Sequence, residues 1–428
     1  MTIRTKTRGQ IQEEALTTFK NQSTKKGTIC LSTGTGKSKV AIDFIKENHD
    51  IFSVLITSPR TNLKENWRKE LFKWGFEHFG SDWWIVDGRR VHITIENVQT
   101  TYKWHSSFDF IIADEIHTMV TPEYSKVFEL GTQWLMGLTA THDITEKNGK
   151  SAYYSKYAPV IYEYYESADD GLINKTRFFV VNHYLNNDYQ VLTGPKTNRF
   201  LVGEADHYKY LTERIKKGQR QMIAQGSQDW FNDAASWFWK GQGDKEQKFA
   251  AMMYLNSIKY RKEFLLSLTS TAKIAEKVKN GILEADVSNK VLVFSELTAQ
   301  VEKITQKTVH SHNSVAMNQS RLDHFDIGDI RELGSCQSLT LGLNLKGATH
   351  GIMESYVGSA TRSKQKKGRL DRLASDQVAD MWFIIVHDTQ SEKWFESMVK
   401  GFDLSNARHI DSKLIMRNEF DYRTSTVK

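Results

Sequence analysis

The sequence predicts an α/β fold with two parallel-sheet domains in tandem and a mainly helical insert in or before the second. Over the first 145 residues, short apolar runs alternate with amphipathic stretches, and a similar alternation starts again near residue 290. Strands that alternate with helices form parallel sheets covered by helices on both faces. Between these two regions, residues 195–280 show helical spacing without clear strands.

Apolar runs locate the individual strands. In the first domain they lie at residues 27–31, 54–57, 84–86, 91–95, 108–113 and 134–138. Helices are predicted between several of them, at residues 37–47 and 62–74. In the second domain the runs lie at residues 291–294, 307–311, 351–353 and 381–386, and the earlier run 177–181 could join the same sheet.

These patterns define the expected domain limits. The first domain is predicted at residues 1–150, followed by a linker and the start of the second domain at 151–194. The insert is predicted at 195–284 and the remainder of the second domain at 285–428.

Length and composition indicate a soluble, multidomain protein with an anionic partner. A chain of 428 residues exceeds one typical core, and 39% hydrophobic and 25% charged residues are ordinary for soluble proteins. The net charge is +7, and residues 195–280 alone carry 16 Lys or Arg against 9 Asp or Glu. Such an excess favours a polyanion, although many basic proteins bind no nucleic acid.

Cysteine content and hydropathy predict a cytoplasmic protein without a membrane partner. Cys30 and Cys336 are too few for a disulfide framework or, alone, a four-ligand zinc site. The N-terminal residues lack the apolar run of a signal peptide, and no stretch approaches the ~18 apolar residues of a membrane span.

A glycine-rich run, STGTGKS, extends from Ser32 to Ser38 between a predicted strand and a predicted helix. Glycines let the backbone turn so that N–H groups and the helix N-terminus surround a phosphate. In such a loop Lys37 reaches the β- and γ-phosphates and Ser38 binds magnesium. Leu31 stands where the strict pattern has glycine, but the flanking strand and helix disfavour a chance match. The predicted nucleotide-binding residues of this loop are Thr33, Gly34, Thr35, Gly36, Lys37 and Ser38.

A pair of carboxylates follows the apolar strand at residues 108–113. Asp114 at the strand end can hold a magnesium ion, and the adjacent Glu115 can polarise an attacking water. The alternative, a surface acidic pair after a core strand, is common. It does not explain why the pair lies downstream of a phosphate loop.

These residues resemble the superfamily 2 helicases, whose DExH box reads DEIH here and ends at His117. The run IQEEAL at residues 11–16 is similar to the family's glutamine element, which implies that Gln12 reads adenine. The run GLTATH is similar to motif III. The resemblance implies that His117, Thr139 and Thr141 couple the ATP state to the other domain.

The second α/β region also resembles this family. Residues 290–296 and 338–345 are similar to motifs IV and V, and QKKGRLDR at residues 365–372 matches the pattern of motif VI. The resemblance, which covers about 1–145 and 285–390, implies two tandem RecA-like domains, ATP and Mg²⁺. It also implies catalytic roles for Gln365 and for Arg369 and Arg372 as arginine fingers. Taken alone, motif VI could be a solvated basic helix face.

Small polar or basic residues at predicted strand ends are candidate contacts to a nucleic-acid backbone, as the family arrangement implies. For each of them, a turn residue or helix cap is nearly as good an explanation. The candidates are Ser58, Arg60, Asn97, Thr100, Ser295 and Thr340.

The insert offers two further groups of residues. Its aromatic residues could stack on bases, but Trp230 and Trp237, seven apart, more often build a small helical core. The better DNA-contact candidates are Arg214, Lys216, Lys217 and Arg220.

The family resemblance predicts an ATP-dependent DNA helicase or translocase that unwinds or branch-migrates forked, branched or duplex DNA. By analogy with phage-encoded helicases, it would act in recombination or replication within the host cytoplasm, as a monomer or weak oligomer. An RNA helicase, a non-catalytic clamp and the motor subunit of a larger complex such as a restriction system remain alternatives.

Overall fold

The computed structural model describes residues 6–32, 34–59, 62–140, 149–165, 175–194, 197–336, 347–357, 377–400 and 402–427. The chain divides into two compact units, with one boundary after Arg177. None of the helices in these ranges is both long enough and apolar enough to cross a lipid bilayer.

The first unit contains the N-terminal sheet. Its strands are β1 (Lys26–Leu31), β2 (Ser53–Ser58), β3 (Glu77–His78), β4 (Trp83–Val86), β5 (Arg89–Asn97), β6 (Ser107–Asp114), β7 (Gly131–Thr139) and β8 (Val160–Tyr164). In the described residues they form one eight-stranded sheet with the order β3-β4-β5-β2-β6-β7-β1-β8. The neighbours from β5 to β8 in this order are parallel, and β3, β4 and β5 pair antiparallel. β6 therefore lies at the centre, between β2 and β7.

Helices cover this sheet on both faces. They are α1 (Arg8–Lys20), α2 (Lys37–Glu47), α3 (Asn62–Lys73), α4 (Val98–Thr101) and α5 (Lys150–Tyr157). Along β6, Phe110 and Ile112 join one buried cluster while Ile111 and Ala113 join another. A strand buried on both faces is typical of a parallel sheet, and it holds the residue that follows, Asp114, in a fixed position.

The second main sheet is built from strands of both the middle and the end of the chain. Its strands are β9 (Lys175–Tyr184), β12 (Val291–Phe294), β13 (Thr308–Val309), β14 (Glu332–Ser335), β15 (His350–Met353), β16 (Val378–His387) and β17 (Arg408–Asp411). Their order is β13-β14-β12-β15-β16-β9-β17 over the described ranges. Two small antiparallel pairs accompany it, formed by β10 (Gln190–Thr193) with β11 (Phe200–Gly203) and by β18 (Phe420–Asp421) with β19 (Thr426–Val427).

Most of the described helices of the second unit belong to the insert or follow it. They are α6 (Glu204–Ala224), α7 (Trp230–Ala234), α8 (Lys245–Leu266), α9 (Thr269–Ala285), α10 (Thr298–Ile304), α11 (Val315–Ile327), α12 (Gln390–Met398) and α13 (Ser412–Met416). A π-helical segment, Ala235–Trp239, continues α7. The long helices α6 and α8 pack together around Ile215, Met222, Ala251 and Tyr254.

The predicted fold class, α/β with two main sheets and a mainly helical insert, is confirmed. Run 177–181 lies inside β9 and joins the second sheet. The expectation of no strands in residues 195–280 is wrong, because β11 lies there and pairs with β10. Trp237 packs against the helical core as expected, but Trp230 does not, since 39% of it is exposed.

Candidate active site

The phosphate loop (residues 32–38) turns through two glycines in the left-handed region. Gly34 and Gly36 both have φ of +91°, a conformation that L-residues with a side chain rarely adopt. A Cβ at Gly36 would also collide with the side-chain nitrogen of Gln12. Helix α2 begins at Lys37, directly after Gly36, which has no side chain to cap the first-turn N–H groups. The loop and the helix N-terminus thus form a cradle suited to an anion.

Gln12 holds the phosphate loop from the side. Its Nε2 donates to the carbonyl of Thr35 at 2.7 Å, and the Thr35 hydroxyl donates to the carbonyl of Ser32 at 2.8 Å. The Thr35 side chain is buried as a result. Gln12 therefore lies beside the loop, and its predicted role in reading adenine stays a prediction.

The Lys37 ammonium lies at the end of β1. Its Nζ donates to the carbonyls of Leu31 and Ser32 at 3.1 and 3.4 Å. Leu31, which replaces the usual glycine, is fully buried in the core of the sheet. The positive charge of Lys37 also lowers the pKa of Asp114, so the two side chains interact electrostatically.

Asp114 ends the central strand β6, and Trp67 from α3 orients it. The indole Nε1 donates to Asp114 Oδ2 at 2.9 Å. Burial, followed by the negative charge of Glu115, raises the pKa of Asp114 to about 7, while the Trp67 hydrogen bond and Lys37 oppose that rise. Sequence reasoning missed Trp67, since no motif marks it.

Glu115 has a strained backbone at the point where β6 ends. Its φ is +54°, in the left-handed region that non-glycine residues seldom occupy. The Thr118 N–H donates to the Glu115 carbonyl at 2.9 Å and closes a 3₁₀ turn, Ile116–Thr118, and the Thr118 hydroxyl donates to the same carbonyl at 2.9 Å. Strain of this kind is often found at functional sites, where the surrounding structure maintains it.

His117 links Glu115 to the end of β7. Its Nδ1 lies 3.4 Å from Glu115 Oε2 and 2.9 Å from the Thr139 hydroxyl. His117 and Thr139 are both buried. One imidazole nitrogen thus faces both the Glu115 carboxylate and the residue that ends the neighbouring strand.

Close packing beneath the turn explains a glycine in β7. A Cβ at Gly137 would lie 2.6 Å from the side chains of both Ile116 and Thr28. The absent side chain lets Ile116 anchor the turn that carries Glu115 and His117. Lys150 secures the same turn by donating to the His117 carbonyl at 3.0 Å.

Sheet order brings these parts to one edge. β7 lies between β6 and β1, with Asp114 opposite Leu138 and Cys30 opposite Thr139 in the parallel register. The carboxyl ends of parallel strands share one edge, where open α/β sheets bind ligands. The loop, the two carboxylates and the His117–Thr139 link therefore lie together and fit a nucleotide with its cation.

Comparison with known proteins identifies the chain's relatives. A family model described as "Type III restriction enzyme, res subunit" matches residues 6–144. The DNA 3′-5′ translocase XPB2 of Sulfurisphaera tokodaii is 24% identical over 363 residues, which cover 81% of this chain and 75% of that protein. These similarities support a superfamily 2 helicase or translocase. They imply an ATP-hydrolysing motor that acts on nucleic acid.

Solved structures share the fold of this chain. S. cerevisiae Dbp5 bound to RNA and ADP BeF3 has a TM-score of 0.56 at 12% identity, covering 95% of this chain and 92% of that chain. A Dbp5 variant in the same complex has a TM-score of 0.58 at 11% identity, covering 96% and 91%. The two main domains are RecA-like.

Two of the predicted backbone contacts are buried residues, and their roles stay predictions. Ser58 and Ser295 are fully buried, and the Ser295 hydroxyl lies 3.1 Å from that of Ser355. Thr100 is exposed, and Asn97 is the N-cap of α4. Contacts from Asn97 and Thr100 stay predictions.

Several predicted site residues lie outside the described residues, and their assigned roles stay predictions. They are Thr33, Arg60, Thr141, Thr340, Gln365, Arg369 and Arg372. Ser38 is described, partly buried in the first turn of α2. No cluster of three or more His, Cys, Asp or Glu suited to a metal ion occurs in the part of the chain that the structure describes.

Proposed function

We propose that this helicase is a DNA translocase that uses ATP and Mg²⁺ to move on or remodel duplex, forked or branched DNA. One observation carries the mechanical part of the proposal. The His117 Nδ1 lies 3.4 Å from the carboxylate of Glu115, the proposed general base, and 2.9 Å from the Thr139 hydroxyl at the end of β7. A change at the carboxylate can therefore move a neighbouring strand end.

Similarity to a DNA translocase over 81% of the chain supports DNA as the track. The likeness to an RNA-bound protein, at 12% identity, supports only a common fold. The surplus of 16 Lys or Arg over 9 Asp or Glu in residues 195–280 fits either nucleic acid.

The residues at the sheet edge fit a magnesium-bound nucleotide. The loop N–H groups and Lys37 would hold the phosphates, and Asp114 with the Ser38 hydroxyl would hold the ion. When bound, Mg²⁺ neutralises the charge that develops on the phosphate oxygens. Glu115 would orient a water, and His117 would keep the carboxylate in place.

The pKa of Asp114 predicts a pH dependence for nucleotide binding. Because Asp114 must be ionised to hold a cation, affinity for ATP with Mg²⁺ should fall as pH drops below about 7, by up to tenfold per pH unit. Trp67→Phe removes the donor that favours the ionised form, so the same fall should begin at higher pH. Titration of a fluorescent ATP analogue between pH 5.5 and 8.5 would measure it.

Trp83→Phe is the matched control, because Trp83 lies on β4 with 44% of its surface exposed. It should leave the pH profile unchanged. An identical profile for wild type and Trp67→Phe would show that the indole does not set the ionisation of Asp114.

The choice of nucleic acid can be tested by stimulation of ATP hydrolysis. Duplex and forked DNA should raise the ATPase rate at least tenfold above the rate without nucleic acid, and displacement of a triplex-forming strand should reveal translocation. Stimulation by RNA alone would favour an RNA helicase. Hydrolysis that no nucleic acid accelerates would contradict the motor assignment.

A further inference from the structure

A cleft of about 470 Å³ lies along the two long helices of the insert. Its lining includes Tyr210, Arg214, Lys217 and Gln221 from α6 and Met253 and Ser257 from α8. The four α6 residues are spaced by four, three and four positions, so they share one face of the helix. None of them belongs to the candidate active site.

Close packing of the helices forms the floor of this insert cleft. At Gly218 a Cβ would lie 2.9 Å from the Cα of Tyr254, so only glycine lets α6 and α8 approach this closely. Ser257, on the α8 side, is buried. The cleft is therefore a fixed feature of the helix pair.

Two tyrosine rings flank the Arg214 guanidinium. Its central carbon lies 5.8 Å from the ring centre of Tyr210 and 5.6 Å from that of Tyr260. Tyr210 and Tyr260 are 55% and 46% exposed, so a ligand can reach both residues. A guanidinium held between rings presents its N–H donors in a fixed direction.

The cleft carries positive charge that the described carboxylates do not neutralise. Glu213, its one acidic lining residue among the described residues, pairs with Lys216 at 2.7 Å. In the described ranges neither Arg214 nor Lys217 has a carboxylate within 4.0 Å. An anion in the cleft would accept charge-assisted hydrogen bonds from both side chains.

Gln221 calls for a hydrogen-bond donor on the ligand, which a simple anion does not have. Its Oε1 is buried and accepts no hydrogen bond within the described residues. A ligand for this cleft should therefore bring a donor as well as negative charge and a flat ring.

We propose that the insert cleft binds single-stranded DNA, with phosphates on Arg214 and Lys217 and a base against the exposed ring of Tyr210, which lines the cleft. A base N–H group would satisfy Gln221. The phosphates of duplex DNA could also pair with the positive charge of the cleft. Its bases, however, are stacked on one another and leave no free face to stack on a tyrosine ring. This assignment rests on the proposed function as a DNA translocase.

Charge reversal at an exposed residue tests the cleft. Lys217→Glu should weaken binding of a labelled 20-nucleotide single strand by tenfold or more, measured by fluorescence anisotropy on the full chain without nucleotide. Lys248→Glu, the same change on an exposed lysine of α8, should alter affinity less than threefold. Equal losses in both variants would mean general electrostatics and would overturn the site.

A second variant tests the single-strand assignment. Tyr210→Leu should reduce single-strand affinity about tenfold and leave affinity for a 20-base-pair duplex nearly unchanged, because only an unpaired base stacks on the ring. Equal losses for duplex, or a loss confined to RNA, would overturn the proposal.

The two proposals can fail separately. The binding assay needs no ATP, so Lys37→Ala should bind the single strand like wild type. If DNA did not stimulate ATP hydrolysis by the wild-type protein, the motor assignment would be contradicted. If Lys217→Glu and Tyr210→Leu bound the single strand like wild type, only the cleft proposal would be overturned.

Discussion

Glu115→Gln is expected to lower ATP turnover about 10²- to 10⁴-fold, the usual contribution of a positioned general base. Glutamine keeps the length of the side chain and its place near His117, which lies 3.4 Å from Oε2. It loses the negative charge that polarises a water. Nucleotide affinity should stay within about threefold, because the phosphate loop is untouched.

The same variant should also lower the pH below which nucleotide affinity falls. The charge of Glu115 raises the pKa of Asp114, so its removal lowers that pKa. Binding should then persist to lower pH than in wild type. Single-turnover hydrolysis and binding titrations across pH would measure both effects.

Glu123→Gln is the control, because Glu123 is an exposed carboxylate beyond the same turn. It should leave turnover and the pH profile unchanged. If Glu115→Gln hydrolysed ATP at the wild-type rate, Glu115 would have no catalytic role. Its strained φ of +54° would then lack a functional explanation.

Local sequence was sufficient where the chemistry depends on neighbours in the chain. The predicted helix at residues 37–47 coincides with α2, and the carboxylates at 114 and 115 lie at the end of β6 as expected. Both depend on a strand, a turn and a helix that are contiguous. Their assembly at one edge follows from parallel pairing, which the alternating pattern already predicts.

Contacts between distant segments could not be predicted in this way. Trp67 reaches Asp114 across 47 positions of the chain, and Gly137 is required by Ile116 and Thr28 packed against it. Strand-end position likewise did not predict exposure, since Ser58 and Ser295 are buried. These features depend on packing that single-sequence periodicity does not encode.

The tryptophans of the insert show that a backbone irregularity can invalidate a prediction from helical periodicity. Residues seven apart share a face only on a regular α-helix. The π-helical segment Ala235–Trp239 changes the rotation per residue, and Trp230 and Trp237 then differ in burial. A π-helical segment is rare and has no reliable sequence signal.

Lys37→Ala should reduce ATP turnover by about 10²- to 10³-fold, the scale expected for loss of one donor to developing phosphate charge. The effect has a second component that a phosphate contact alone would not produce. Lys37 also lowers the pKa of Asp114, so its loss raises that pKa and leaves less of the carboxylate ionised near neutral pH. Nucleotide binding by Lys37→Ala should therefore recover in part as pH rises.

Lys39→Ala is the matched control for Lys37→Ala, since Lys39 lies on the same helix but pairs with Asp43. It should change neither turnover nor the pH profile. The thermal midpoint should change little in both variants, because both lysine side chains are partly exposed at the start of α2. If the binding defect of Lys37→Ala did not depend on pH, Lys37 would act on the phosphates alone and not through the ionisation of Asp114. A defect that shrinks at high pH would establish that the lysine acts on the nucleotide and on the carboxylate together.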